Sequence, residues 1–151
     1  MTISRRRTLQ LGLAASGVAL LGSGAASAEK VFTEFGVAIR GADPVAFFTE
    51  REAVEGLAQF QHDWGGATWQ FASAANRDRF AAAPESYAPQ YKGWCAWAMT
   101  IGQLAPTDPT TWIISDGKLY LNFNRATVRR FRRDVPGNID KADENWARLY
   151  A

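Results

Sequence analysis

A disulfide needs two cysteines, and this chain of 151 residues has one, Cys95. No internal bridge can form, so the thiol is hidden, reactive, or paired with another molecule. Histidine is equally scarce: His62 stands alone, with no motif tying it to a nucleophile. The chain carries no G-x-S-x-G elbow, no glycine loop with a lysine to cradle phosphate, and no H-E-x-x-H pair, which leaves conventional hydrolytic catalysis without support. The carboxylates of Asp43, Asp108 and Asp116 have ready roles as caps and turn residues. An excess of one charge is lacking too. The formal charge is +2, from 17 basic and 15 acidic residues, and leaving out the first 28 residues, which hold Arg5, Arg6 and Arg7 and no acid, sets 14 basic against 15 acidic. Such a balance gives no general nucleic-acid footprint. What is present, 47% hydrophobic and 21% charged residues, is the composition of an ordinary globular domain.

Residues 1 to 28 have the three parts of an export signal: a cationic start, an apolar stretch from Leu11 to Leu21, and Ala26-Ser27-Ala28 as a cleavage site before Glu29. The start, Ser4-Arg5-Arg6-Arg7-Thr8-Leu9-Gln10, resembles the twin-arginine pattern, with Thr8 where phenylalanine is usual and Gln10 where lysine is common. The ordinary secretory route and an uncleaved anchor are the alternatives. Against the anchor, an apolar run broken by Gly12, Ser16, Gly17 and Gly22 is short for a hydrocarbon layer of about 30 Å. No second such run and no linker follows. The expectation is a single domain over residues 29–151, soluble in the periplasm, whose signal implies the export machinery as a partner.

Two hairpins are legible. Phe60 to Trp64 and Ala67 to Phe71 flank Gly65-Gly66, and Trp112 to Ser115 and Lys118 to Phe123 flank Asp116-Gly117, with Leu119, Leu121 and Phe123 on one face. A helix follows each: Ala74 to Ala82 capped by Ser73, and Arg125 to Asp134 capped by Asn124. Gly66, Ser73 and Phe80 are spaced as Gly117, Asn124 and Phe131 are, so turn, cap and inward aromatic recur at one offset. Asp43-Pro44 opens a short apolar helix, Asp108-Pro109 opens a turn, and Asn138 to Tyr150 forms a last helix set apart by Pro136-Gly137. These elements predict a small α+β domain of two hairpin-plus-helix units and a C-terminal helix.

Asp43-Pro44-Val45, followed by Phe71, Ser73, Phe80, Pro84 and Tyr87 in the frame F-x-S-x-x-x-x-x-x-F-x-x-x-P-x-x-Y, resembles the YHS domain. The short form of that family carries three cysteines and is associated with metal handling. Ala46, Ala72 and Asn76 stand in those places here, so metal binding by that route is not carried over. Tyr87 to Met99 (YAPQYKGWCAWAM), Asp116 to Asn124 (DGKLYLNFN) and Pro136 to Trp146 (PGNIDKADENW) resemble a longer, exported branch, described as a YHS or selenoprotein family without an established activity. That label implies selenocysteine in some relatives, placed at the position of Cys95.

Cys95 admits two readings. It is a small buried core residue among Trp94, Ala96 and Trp97, or it is a redox or mixed-disulfide thiol, which would need a nearby cation or helix N-terminus to favour the thiolate. Lys92 is the closest basic residue in sequence. A soft-metal site would have to use Cys95, Met99 and His62, donors that suit copper. Arg129, Arg130, Arg132 and Arg133 form a basic run opposite Val128 and Phe131, read as a solvated face or a surface for an acidic partner or anionic lipid. Six tryptophans read as core or as the wall of an apolar pocket. The sequence thus points to a thiol redox or copper accessory protein centred on Cys95, with a redox partner protein. The alternative is a non-catalytic module for a small ligand or protein, with Cys95 as packing.

Overall fold

The computed structural model describes residues 30–150, so the export signal read at residues 1–28 lies outside the described residues. Strands β1 (Thr33–Glu34), β2 (Val37–Ala38), β3 (Leu57–Trp64) and β4 (Ala67–Phe71) form one sheet in the order β1-β2-β4-β3, with β2 parallel to β4 and the other pairs antiparallel. Strands β5 (Asp108–Ser115) and β6 (Lys118–Asn122) pair antiparallel as a second sheet. Both hairpins close through two residues of positive φ, Gly65-Gly66 at 62° and 76° and Asp116-Gly117 at 49° and 72°. That geometry matches the right-handed strand twist, and glycine adopts it without steric cost. The helices are α1 (Ala46–Thr49), α2 (Ala74–Ala82), α3 (Pro84–Tyr87), α4 (Ala96–Met99), α5 (Arg125–Arg132) and α6 (Val135–Leu149). The class is α+β, two hairpin-plus-helix units with a C-terminal helix.

Several boundaries differ from the sequence reading: β3 begins at Leu57 rather than Phe60, α5 ends at Arg132 rather than Asp134, and three further differences have a visible cause. Strand β6 ends at Asn122, and Phe123 is 46% exposed instead of sharing the inward face of Leu119 and Leu121, because its N–H turns away to Cys95 Sγ. Strand β5 begins at Asp108, with an irregularity before Trp112; there the Asp108 carboxylate accepts from Thr110 N–H at 2.9 Å, so the expected turn is a bulge inside the strand. The last helix starts at Val135, not Asn138: Asp134 accepts from Gly137 N–H at 3.1 Å, and Pro136 occupies the first turn, where its missing N–H is not needed.

The repeat runs further than turn, cap and aromatic. Ile39, Arg40 and Gly41 are consecutive left-handed residues (φ 43°, 56°, 80°), and 52 positions later so are Tyr91, Lys92 and Gly93 (54°, 53°, 85°). Each triplet leads through one extended residue to a capping residue, Asp43 or Cys95, and then to a four-residue helix. The capping residue's own N–H bonds equivalent carbonyls, Asp43 to Val54 at 2.8 Å and Cys95 to Ala105 at 3.0 Å. The carbonyls of Gly41 and Gly93 are likewise both used, by Gly56 N–H and by the Thr107 hydroxyl. The two triplets meet: a Cβ on Gly93 would lie 2.9 Å from Ile39 Cγ2.

Strand β6 is the wall between two cores. Leu119 and Leu121 face a cluster with Ile39, Phe47, Trp69, Phe71 and Phe80, whereas Tyr120, on the opposite side of the pleat, joins Tyr91, Ala96, Met99, Phe131 and Ala142. Asn122, at the strand's end, is a fully buried polar residue.

Candidate functional site

Cys95 is fully buried and caps α4. Its Sγ accepts the N–H of Ala98 at 3.5 Å and the N–H of Phe123, from the end of the second hairpin, at 3.2 Å. Burial pushes the thiol pKa up. The N–H groups of Ala98, Phe123 and Trp97 and the Thr127 hydroxyl pull it the other way, since each favours the charged form. Burial dominates, so the resting group is a thiol held among donors that would suit an anion. The sequence asked for a cation or a helix N-terminus beside Cys95; the structure supplies uncharged backbone donors, Ala98 N–H in the first turn of α4 among them.

The first unit shows what this cradle holds elsewhere in the chain. Asp43, also fully buried, caps the turn into α1 through Oδ1, which accepts from Val45 N–H at 2.9 Å and Ala46 N–H at 3.4 Å. Its Oδ2 accepts from Ala72 N–H at 2.9 Å and Asn76 Nδ2 at 2.8 Å. Ala72 and Asn76 stand in the first unit where Phe123 and Thr127 stand in the second. Cys95 therefore occupies the place of a carboxylate that takes four donors. The other side-chain caps among the described residues, Ser73, Asn124 and Asp134, also use oxygen.

Two members of the site were missed from sequence. Thr127 completes a capping box with Asn124, its hydroxyl donating to the Asn124 carbonyl at 2.8 Å, and lies near enough to Cys95 to favour the thiolate slightly. Asn122 is fully buried, its Oδ1 accepting Trp97 N–H at 3.2 Å and its Nδ2 lacking a partner among the described residues. The offset between the two units, followed outward from the caps, would have pointed to both positions, although not to their chemistry.

Of the three residues proposed as soft-metal donors, Met99 and His62 pack against different cores. Met99 ends α4, its N–H bonded to the Cys95 carbonyl at 3.1 Å, and its side chain lies in the Tyr120 cluster. His62 packs its ring edgewise on Phe80, a member of the other cluster, at 6.2 Å between centroids. Among the described residues no three His, Cys, Asp or Glu side chains gather as a metal site. No step is derived through copper.

The basic run lies on the exposed face of α5, with Val128 and Phe131 buried. Arg130 stacks over Trp97 at 5.9 Å, and Arg132 donates to the Trp112 carbonyl at 3.3 Å. Of the tryptophans only Trp69 is fully buried. Two surface hollows, of about 440 and 300 Å³, have one tryptophan, Trp64, and none in their walls. No helix among the described residues is long and apolar enough to cross a membrane. No family model, curated protein or solved structure matches this chain.

Proposed function

We propose that this is a YHS-like, exported thiol redox accessory protein whose working group is Cys95. One observation carries the reading: the sulfur stands at a capping position where the duplicated unit uses a carboxylate and every other side-chain cap among the described residues uses oxygen. A thiol is a weak acceptor, and serine or aspartate would cap α4 better. A local rule broken at one point, inside a polar cradle, is the mark of a site kept for its chemistry. The donors favour the sulfur once it bears negative charge or oxygen, while burial keeps it protonated and shields it from bulky thiols at rest.

Complete burial and the raised pKa favour a second reading, a binding module in which Cys95 only packs. The two part under hydrogen peroxide, a small oxidant. Redox function predicts that the folded protein gains one oxygen atom at Cys95, read by intact mass and peptide mapping, and that Cys95→Ser gains none. Oxidation seen only when the protein is unfolded would remove the redox reading.

A further inference from the structure

We propose that Asn122 Nδ2 is the binding group for the oxygen that Cys95 acquires when a peroxide oxidises it to the sulfenic acid. The inference rests on the thiol reading above and names the class of oxidant and the residue that holds the product.

Asn122 is fully buried, and its amide orientation is fixed by its neighbours. Trp97 N–H is a donor and takes Oδ1 at 3.2 Å, which leaves Nδ2 as an unpartnered buried donor. Buried donors are rarely left unmade, because the desolvation cost is not recovered. The amide lies against the first turn of the helix that Cys95 caps. The next residue in the chain, Phe123, gives its N–H to Cys95 Sγ at 3.2 Å. Two bonds thus tie the segment Cys95 to Trp97 to the segment Asn122 to Phe123, one ending on Asn122 and the other on Cys95.

The duplicated unit supplies an independent argument. There the cap is Asp43, whose second oxygen takes a side-chain amide, Asn76 Nδ2, at 2.8 Å. A thiol has no second acceptor atom, whereas Cβ–S–O of a sulfenic acid has nearly the shape of one arm of Cβ–carboxylate. In the second unit Thr127 replaces Asn76, and the amide comes instead from Asn122, at the position where the first unit has the buried Phe71. Each unit therefore provides one side-chain amide to its cap. In the first the acceptor oxygen is permanent; in the second it is added by oxidation.

The step balances. The Cys95 sulfur attacks one oxygen of hydrogen peroxide, an S–O bond forms and the O–O bond breaks. The sulfur loses two electrons, and the departing hydroxide takes the thiol proton and leaves as water. With no second cysteine in the chain the product cannot close an internal disulfide. An external thiol must reduce it, first expelling water to give a mixed disulfide and then, by a second thiol, releasing Cys95.

The test uses the folded full-length protein, hydrogen peroxide, and a cyclic 1,3-dione that traps sulfenic acid. Asn122→Asp keeps the oxygen for Trp97 N–H and removes the donor. The expected result is a sulfenic acid whose lifetime falls by about tenfold in Asn122→Asp, the loss of one good hydrogen bond, and a shift of the wild-type Asn122 side-chain amide protons in NMR on oxidation. The NMR measurement needs no variant. Oxidation of Cys95 with an unmoved Asn122 amide and an unchanged lifetime would overturn this inference and leave the thiol reading standing. Absence of oxidation in the folded wild type would overturn both.

Discussion

Cys95 and Asp43 do the same structural work with different atoms, and substitution can weigh them against each other. Cys95→Ala strands the N–H groups of Ala98 and Phe123 and should cost about 1–3 kcal/mol, read from denaturant unfolding. Cys95→Ser keeps an acceptor and should cost less. Cys95→Asp should also retain more stability than Cys95→Ala, because the cradle is built as Asp43's is; a Cys95→Asp protein less stable than Cys95→Ala would refute the equivalence of the two positions. The sequence made Cys95 stand out through scarcity and resemblance, both of which are visible in one dimension. Asn122 was not visible. It sits at the end of an alternating strand, and its importance comes from a buried amide whose one partner, Trp97, lies 25 residues away.

At the scale of elements, the hairpins and their following helices were legible because two-residue turns with glycine and caps such as Ser73 and Asn124 are local signals. The last helix was started three residues late, since Pro136-Gly137 reads as punctuation until Asp134 is seen to accept Gly137 N–H. The left-handed triplets were not legible at all. Ile, Arg, Tyr and Lys rarely adopt positive φ, and only tertiary contact holds them there. Gly93→Ala tests that contact. It adds a Cβ at 2.9 Å from Ile39 Cγ2 in a left-handed residue and should destabilise by about 1–2 kcal/mol or more, whereas Gly66→Ala, also left-handed but facing open space, bears only the backbone cost. Equal losses at the two glycines would mean that the triplets do not depend on one another.

Taken whole, the molecule is two similar units sharing strand β6, with the second core closed by α6 through a Tyr91 hydroxyl that donates to Asp143 at 2.8 Å. Burial, with Asp143, raises the Tyr91 pKa, and burial, then Asp143 and Asp116, pushes Tyr120 up to about 12. An unfolded chain loses these protons near pH 10. Above that pH the unfolded state binds fewer protons than the folded one, so stability should be fully present below about pH 10 and fall as pH rises toward 12. Tyrosinate absorbance in the folded protein should lag that of the unfolded chain; coincident titrations would contradict the closed second core.

The most direct measurement is the rate at which hydrogen peroxide oxidises Cys95, followed by intact mass from pH 6 to 10 with and without a sub-denaturing amount of urea. Oxidation from the folded state predicts a rate indifferent to urea that climbs with pH through a midpoint above the ordinary thiol value, as the burial-raised pKa requires. A rate that rises with urea in step with the unfolded fraction would mean that Cys95 reacts only when the fold opens, and that its sulfur is there to pack.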